Sequence, residues 1–156
     1  MKKIAVIPLR ILFVCLSVIS CNKSDSVSSA NKLVGTWISQ SVYTDLKING
    51  IMVDSVTHTS NAINIHQYNT YKSDGTFSTI VLAQGNDTTD QATGKYFIEG
   101  DSLTIINDST SLHAAGATGT MFYSVLNNTL TLKSSNSVTS AGDTHTVDEI
   151  YVFIKQ

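Results

Sequence analysis

The chain of 156 residues is long enough for one domain with a modest core, since 42% of its residues are hydrophobic. Charged residues make up only 14%, and Ser and Thr together make up about a quarter, a mixture that favours β-structure with polar turns. From Cys21 onward 7 lysines stand against 12 acidic residues, a net charge of −5, and the single arginine, Arg10, lies before that point. A negative body without guanidinium groups argues against a nucleic-acid partner.

The first twenty residues have the three parts of a secretory signal peptide. Two lysines follow Met1, an apolar stretch runs from Ile11 to Ile19, and the small Ser20 precedes Cys21. That apolar stretch is too short for a spanning helix, which needs ~20 residues. We therefore expect residues 1–20 to be removed as a signal peptide.

The end of this segment, Val18-Ile19-Ser20-Cys21, resembles the lipobox of bacterial lipoprotein precursors. The resemblance implies attachment of diacylglycerol to the Cys21 thiol, cleavage before Cys21, and acylation of the new amino terminus, with palmitate as a labelled chain. Only cysteine supplies the thiolate nucleophile that this chemistry needs. Several acyl chains hold a protein stably on a membrane, because each buried CH2 contributes about 0.8 kcal/mol. The alternative is a plain secretory signal with a cysteine beside it by chance.

Residues 21–31 comprise this cysteine and a tether. The stretch from Asn22 to Asn31 is rich in serine and has no hydrophobic periodicity, which is typical of a flexible linker. Asn22 is not the aspartate that retains lipoproteins in the inner membrane in enteric-type sorting. The expected location is therefore the envelope of a Gram-negative bacterium, lipid-anchored in the outer membrane, with the periplasmic or surface face left open.

Residues 32–156 are predicted to form one all-β domain. Short apolar or alternating runs recur between turn signals such as Asn49-Gly50, at the spacing of a β-sandwich or barrel. No segment after the tether has a sustained helical pattern, and any helix should be short, most plausibly Thr110–Gly116. Strands are expected near Val34–Lys47, Ile51–His58, Ile63–Lys72, Thr76–Ala83, Gly94–Glu99, Leu103–Asn107, Thr120–Leu126, Thr129–Ser134 and Thr146–Lys155.

Four segments resemble the successive landmarks of lipocalin-like domains in bacterial lipoproteins: Leu33–Trp37 (LVGTW), Tyr71–Phe77 (YKSDGTF), Thr93–Ile105 (TGKYFIEGDSLTI) and Leu126–Leu132 (LNNTLTL). The resemblance implies a small antiparallel up-and-down β-barrel of about eight strands.

In lipocalins a Gly-x-Trp motif begins the first strand and its Trp plugs the barrel floor. By that resemblance Gly35 and Trp37 take these roles. Lipocalins usually stack an arginine on this Trp from near the end of the chain, and the only candidate here is Lys155.

An up-and-down barrel with this sequence turns aromatic and aliphatic side chains towards its lumen. A barrel of eight strands is just wide enough to be filled by side chains or to hold one small ligand, so the sequence leaves both possibilities open. The leading prediction is a monomer that binds a small apolar or amphipathic ligand, neutral or weakly anionic. The alternative is a surface-binding β module for protein or glycan, with a solid core. The candidate cavity residues are Trp37, Phe77, Tyr96, Ile98, Tyr123 and Val125.

Motifs of the common enzyme classes are missing: the sequence has no Gly-x-Ser-x-Gly, His-Glu-x-x-His, P-loop, Rossmann or EF-hand pattern. We therefore predict no catalytic residue, cofactor or metal. The one polar group with plausible spacing is Asp143, His145 and Glu149, which could share a strand face. Two carboxylates and an imidazole can hold a cation or relay a proton, so a hydrolase is the third hypothesis, and polar residues on a solvated strand face are the favoured explanation.

Overall fold

A computed structural model of the chain describes residues 32–83, 87–108 and 115–156. The predicted signal peptide, Cys21, the tether and most of the predicted helix Thr110–Gly116 lie outside these residues. None of the helices in the described part is long and apolar enough to cross a membrane. The elements in chain order are β1 (Gly35–Ile48), β2 (Ile51–Thr59), α1 (Ser60–Ile63), β3 (His66–Tyr71), β4 (Thr76–Leu82), β5 (Thr88–Glu99), β6 (Ser102–Asn107), β7 (Thr118–Leu126), β8 (Thr129–Ser140) and β9 (Asp143–Lys155).

All strand pairs are antiparallel, and the sheet order is β2-β1-β3-β4-β5-β6-β7-β8-β9. β1 also pairs with β9, so that eight strands, β1 and β3 to β9, close into an up-and-down barrel. The predicted all-β barrel of about eight strands is confirmed. We call the end of the barrel at the start of β1 the floor, and the opposite end the mouth.

The strand β1 has two different neighbours along one edge. Its residues Gly35–Ile38 pair with β3, whereas Ser41–Ile48 pair with β2. On the other side of the barrel, β8 pairs with β7 only as far as Lys133, while its pairing with β9 continues to Ser140. The long strands therefore leave the barrel at its mouth as a four-stranded sheet, β2-β1-β9-β8. We call residues 41–59 and 134–149 the projecting sheet.

Two strand boundaries predicted from the sequence are wrong at the mouth. β8 was expected to end at Ser134 and β9 to begin near Thr146, but the two strands run on to a turn at Ala141 and Gly142, where φ is +53° and +92°. The residues between are mostly polar on both faces, because neither face of this hairpin contacts the core. Because apolar and polar residues do not alternate there, the sequence does not predict this part of the two strands.

A short helix, α1, replaces the predicted start of the third strand. The side chain of Thr59 accepts a hydrogen bond from the backbone N–H of Ala62 at 3.3 Å, which satisfies one free donor of the first turn. Asn64, in the left-handed region with φ +50°, ends the helix. This turn carries the chain from β2 to β3, so that both strands pair with the same edge of β1.

Side chains facing the lumen form the core. The alternation predicted for β5 to β8 is confirmed, since Tyr96, Leu103 and Tyr123 are buried while their strand neighbours Phe97 and Phe122 are exposed. Aromatic rings dominate one side, where Tyr71 meets Tyr96 edge-on with 5.2 Å between ring centroids. The buried apolar set is Leu33, Trp37, Tyr71, Phe77, Tyr96, Leu103, Tyr123, Leu130, Leu132 and Phe153.

The floor of the barrel is built around Trp37, which is fully buried. Its Nε1 donates a hydrogen bond to the Leu33 carbonyl at 2.7 Å, and the Lys155 Nζ lies 5.3 Å from the centroid of its ring. Gly35 has φ +136°, and a Cβ at this position would come within 2.7 Å of the Lys155 Cε. A glycine is therefore needed where the chain enters β1. Lys155 lies over the Trp37 ring, at the position where lipocalins usually have an arginine.

Two glycines provide a matched test of barrel packing. A Cβ on Gly94 would lie 2.1 Å from the carbonyl oxygen of Ile106 and 2.8 Å from Cε1 of Phe77, whereas a Cβ on Gly119 would only reach ordinary contact, 3.6 Å from Cγ1 of Ile105. We expect Gly94→Ala to lower the free energy of unfolding by about 3 kcal/mol, because the β6 backbone cannot move without breaking its ladder.

The control variant, Gly119→Ala, should change the free energy of unfolding by less than about 1 kcal/mol. Urea denaturation followed by circular dichroism measures both values. Equal stability of the two variants would contradict the close approach of β5 and β6.

Candidate functional site

The lower half of the lumen is filled by side chains. Of the six residues predicted to line a cavity, Trp37, Phe77, Tyr96 and Tyr123 are buried in the core, and Ile98 and Val125 pack against it. All six therefore lie on the inside of the barrel, within the core or packed against it. Among the described residues, no single open space is lined by all six. Their role as ligand contacts stays a prediction.

The tyrosine hydroxyls in this layer serve the protein itself. The Tyr96 hydroxyl donates to the Lys72 carbonyl at 2.7 Å, and desolvation by burial raises its pKa above the usual tyrosine range. Burial raises the pKa of Tyr71 as well, with the neighbouring Tyr96 as a smaller cause. The hydrogen bond of Tyr96 and its edge-on contact with the Tyr71 ring hold the aromatic layer in place.

An open space lies higher, towards the mouth. It is a cavity of about 220 Å³ whose lining residues all face inward in the strand register, for example Thr79 opposite Ala92 and Val81 opposite Asp90. Apolar and polar groups alternate around it, which makes the cavity amphipathic. Its lining residues are Gln67, Phe77, Thr79, Val81, Asp90, Ala92, Ile105 and Asn107.

A buried asparagine organises the polar side of this cavity. Asn69 Oδ1 accepts two hydrogen bonds, from Gln67 Nε2 at 3.0 Å and from Thr79 Oγ1 at 2.9 Å. Next to it Ser39 Oγ accepts from Ser60 Oγ and from the backbone N–H of Gln67, each at 2.9 Å. The polar side chains are therefore held in fixed directions before any ligand arrives, which lowers the entropy cost of binding.

Sequence reasoning missed most of this cavity. Of its eight lining residues only Phe77 was a candidate. Asp90 and Ala92 were assigned to a loop, because the segment Thr88–Thr93 has no apolar alternation, although it forms the first half of β5. An Asn, Gln or Asp at an inward position of a strand was the signal that could have identified them.

A second concavity opens in the wall between β7 and β8. Above the pair Phe122–Lys133 these strands separate, and a groove of about 430 Å³ extends from Met121 across the base of the projecting sheet. An ion pair between Lys47 and Asp148 crosses it. The hydrogen bond from Lys47 lowers the pKa of the Asp148 carboxyl, with the Ser135 hydroxyl as the next cause.

The polar trio of β9 does not converge on one point. Asp143 Oδ1 accepts from Asn49 Nδ2 at 2.8 Å, at the tip of the projecting sheet, while Glu149 faces Ser134 six residues further along β9. His145 lies between Ile48 and Val138. In residues 32–83, 87–108 and 115–156, no group of three or more His, Cys, Asp and Glu side chains could hold a metal ion.

A comparison of the chain with models of known protein families finds no match, and a search of curated proteins finds none either. Any function proposed for this chain therefore depends on the barrel and on the cavity and groove described above.

We expect the stability of the barrel to depend on alkaline pH because of Tyr151, which lies in the upper lumen. Desolvation, followed by the charge of Glu149 and a hydrogen bond to it, raises the pKa of Tyr151 to about 12. Because the folded value lies above the unfolded one of ~10, this phenol contributes stability that is fully present below pH ~10 and is lost as the pH rises towards 12.

We expect the free energy of unfolding to fall between about pH 10 and pH 12, and Tyr151→Phe to flatten that fall. Urea titrations at several alkaline pH values measure the slope, and absorbance at 295 nm follows phenol ionisation. A slope in Tyr151→Phe equal to that of the parent would show that Tyr151 ionises as freely in the folded chain as in the unfolded one.

Proposed function

We propose that this chain is a non-enzymatic, lipid-anchored envelope protein of a Gram-negative bacterium whose lipocalin-like barrel binds a small amphipathic ligand at its mouth. The observation that carries the proposal is the inward-facing cavity, where Phe77 and Ile105 meet the polar groups of Gln67 and Thr79. Concave sites that combine apolar walls with a few fixed polar groups are typical of small-molecule binding, and barrel mouths are among their usual places.

The size of the cavity limits the ligand. Cavities for drug-sized molecules measure roughly 300–1,000 Å³, and the 220 Å³ here is smaller because aromatic side chains fill the barrel below. The ligand is therefore a small molecule, or one end of a longer one whose remainder extends out of the mouth. A long acyl chain lying along the barrel axis does not fit.

The charge of the lining narrows the ligand further. Asp90 contributes a carboxylate, and no lysine is among the lining residues. Because the lining includes this carboxylate and no lysine, we expect a neutral or cationic head group rather than the weakly anionic one that the sequence left open.

Anchoring at Cys21 would set the direction of ligand entry. The described chain begins at Lys32, next to the Leu33 carbonyl that holds Trp37 at the floor. The ten residues between Cys21 and Lys32 span at most ~35 Å, so the floor stays within about that distance of the lipid surface. The mouth lies at the end of the barrel away from this attachment, and we expect a ligand to enter there from the aqueous side.

The anchor itself is tested by metabolic labelling. Radiolabelled palmitate should be incorporated into the full chain in a Gram-negative host, because the Cys21 thiolate is the acceptor that the lipobox resemblance implies. Cys21→Ala should lose all label and accumulate as the uncleaved precursor. Cys15→Ala is the matched control, since Cys15 lies in the predicted signal peptide, and should label normally. Persistent labelling of Cys21→Ala would contradict lipidation at this residue.

Ligand binding is tested on the chain without residues 1–21, purified from bacterial extract without detergent. Native mass spectrometry should show a small added mass. Ala92→Leu, which places a larger side chain in the cavity, should weaken binding by about tenfold, or roughly 1.4 kcal/mol.

The matched control is Gln91→Leu, the exposed neighbour on the outer face of β5, which should bind as the parent does. If the parent carries no added mass, and no ligand from a panel of small amphipathic molecules shifts the melting temperature, the surface-binding module becomes the better account.

A further inference from the structure

The outer edge of β2 is open along its whole length. All nine residues of Ile51–Thr59 are exposed, and within the part of the chain that the structure describes β2 pairs only with β1. Natural edge strands are usually protected by Lys, Pro or very short length. β2 has no Lys or Pro, and its exposed side chains include Ile51 at 70% and Val56 at 38%. A bulge at Val53 leaves Asp54–Thr59 in regular register, six residues long.

The opposite edge of the same sheet is different in character. There, residues 134–140 of β8 are almost all Ser, Thr or Asn, and their hydroxyls are engaged with β9: Ser135 Oγ donates to Asp148 at 2.6 Å, and Ser137 Oγ lies 2.8 Å from Thr146 Oγ1. Polar side chains tied to the neighbouring strand offer little to an incoming strand. β2 exposes four large apolar side chains, Ile51, Met52, Val53 and Val56, against Val138 alone on this part of β8, and is therefore the better docking surface of the two.

Charge decides what the β2 edge can accept. The projecting sheet, residues 41–59 and 134–149, contains five acidic residues and one lysine. That lysine, Lys47, is already paired with Asp148. A second copy of this chain laid antiparallel on β2 would bring two sheets of net negative charge together, and like charges brought together at an interface disfavour association. A strand that carries Lys or Arg would instead be attracted by the negative charge of the projecting sheet.

We propose that the β2 edge, Asp54–Thr59, is a docking site for an extended peptide segment of a partner protein, one that alternates β-branched residues with Lys or Arg. The segment adds a fifth strand to the projecting sheet through main-chain hydrogen bonds, its apolar side chains pack beside Val56, and a basic group reaches Asp54. The site is independent of any ligand in the barrel. It lies at the mouth, far from Lys32, where a partner can reach it if the floor faces the membrane.

The test uses the full chain in mild detergent and a fluorescent peptide, Thr-Lys-Val-Lys-Val-Thr-Val-Lys, acetylated and amidated. Hydrogen exchange of the backbone amides of residues 51–59 should slow when the peptide is added, and fluorescence anisotropy should give a saturable isotherm. Val56→Ser should weaken binding about threefold, and Asp54→Lys about tenfold, with the salt dependence of binding reduced. Both residues are exposed, and circular dichroism checks that the variants fold.

Two matched controls make the outcome specific. Val138→Ser removes an exposed valine from the β8 edge of the same sheet and should bind as the parent does. A peptide with Glu in place of each Lys should bind at least about tenfold more weakly. The proposal is overturned if residues 51–59 gain no protection, if the Glu peptide binds equally well, or if Val138→Ser weakens binding as much as Val56→Ser. Sedimentation of the peptide-free chain as a dimer with residues 51–59 already protected would also overturn it, since a second copy would then be the occupant.

Discussion

The antiparallel ladder between β1 and β9 is the constraint on which the rest of the structure depends. It runs from the pair Trp37–Lys155 at the floor to the pair Ile48–His145 at the tip of the projecting sheet. These strands are the first and last of the domain, so the ladder closes a loop of about a hundred residues, which is costly in chain entropy and slow to form. Once formed, it removes the barrel's own open edges and brings Lys155 onto the ring that it covers.

The same ladder explains why the mouth is open. β3, β4 and β6 have six or seven residues, whereas β1, β8 and β9 have twelve to fourteen. Strands of unequal length cannot all end at one rim, so the surplus of the long strands continues as the projecting sheet. Its two free edges and the groove beside β7 follow from that mismatch. The open mouth and the two free edges are therefore results of strand length.

The sequence predicts those parts of the fold in which local chemistry decides. Asn49-Gly50, with both residues at positive φ, forms the hairpin turn it indicates, and the inward alternation of Tyr96, Leu103 and Tyr123 is readable because their neighbours face water. The hairpin of β8 and β9 beyond Lys133 and the first half of β5 carry no alternation, so they could not be read. Whether the barrel is filled could not be predicted either, since that depends on the summed volume of side chains from strands far apart in sequence.

Phe77 joins the two halves of the lumen. It is buried, it stacks on Tyr71 with 6.4 Å between ring centroids, and it also forms the wall of the cavity at the mouth. The polar layer above it is stable without a ligand, because the buried oxygen of Asn69 already accepts two hydrogen bonds and so escapes the cost of an unpaired buried group. The packed floor and the polar layer at the mouth are thus each stable without a bound molecule. Phe77 belongs both to the core and to the cavity wall, so any molecule that occupies the cavity also contacts the core. Its binding free energy adds to the stability of the barrel by mass action.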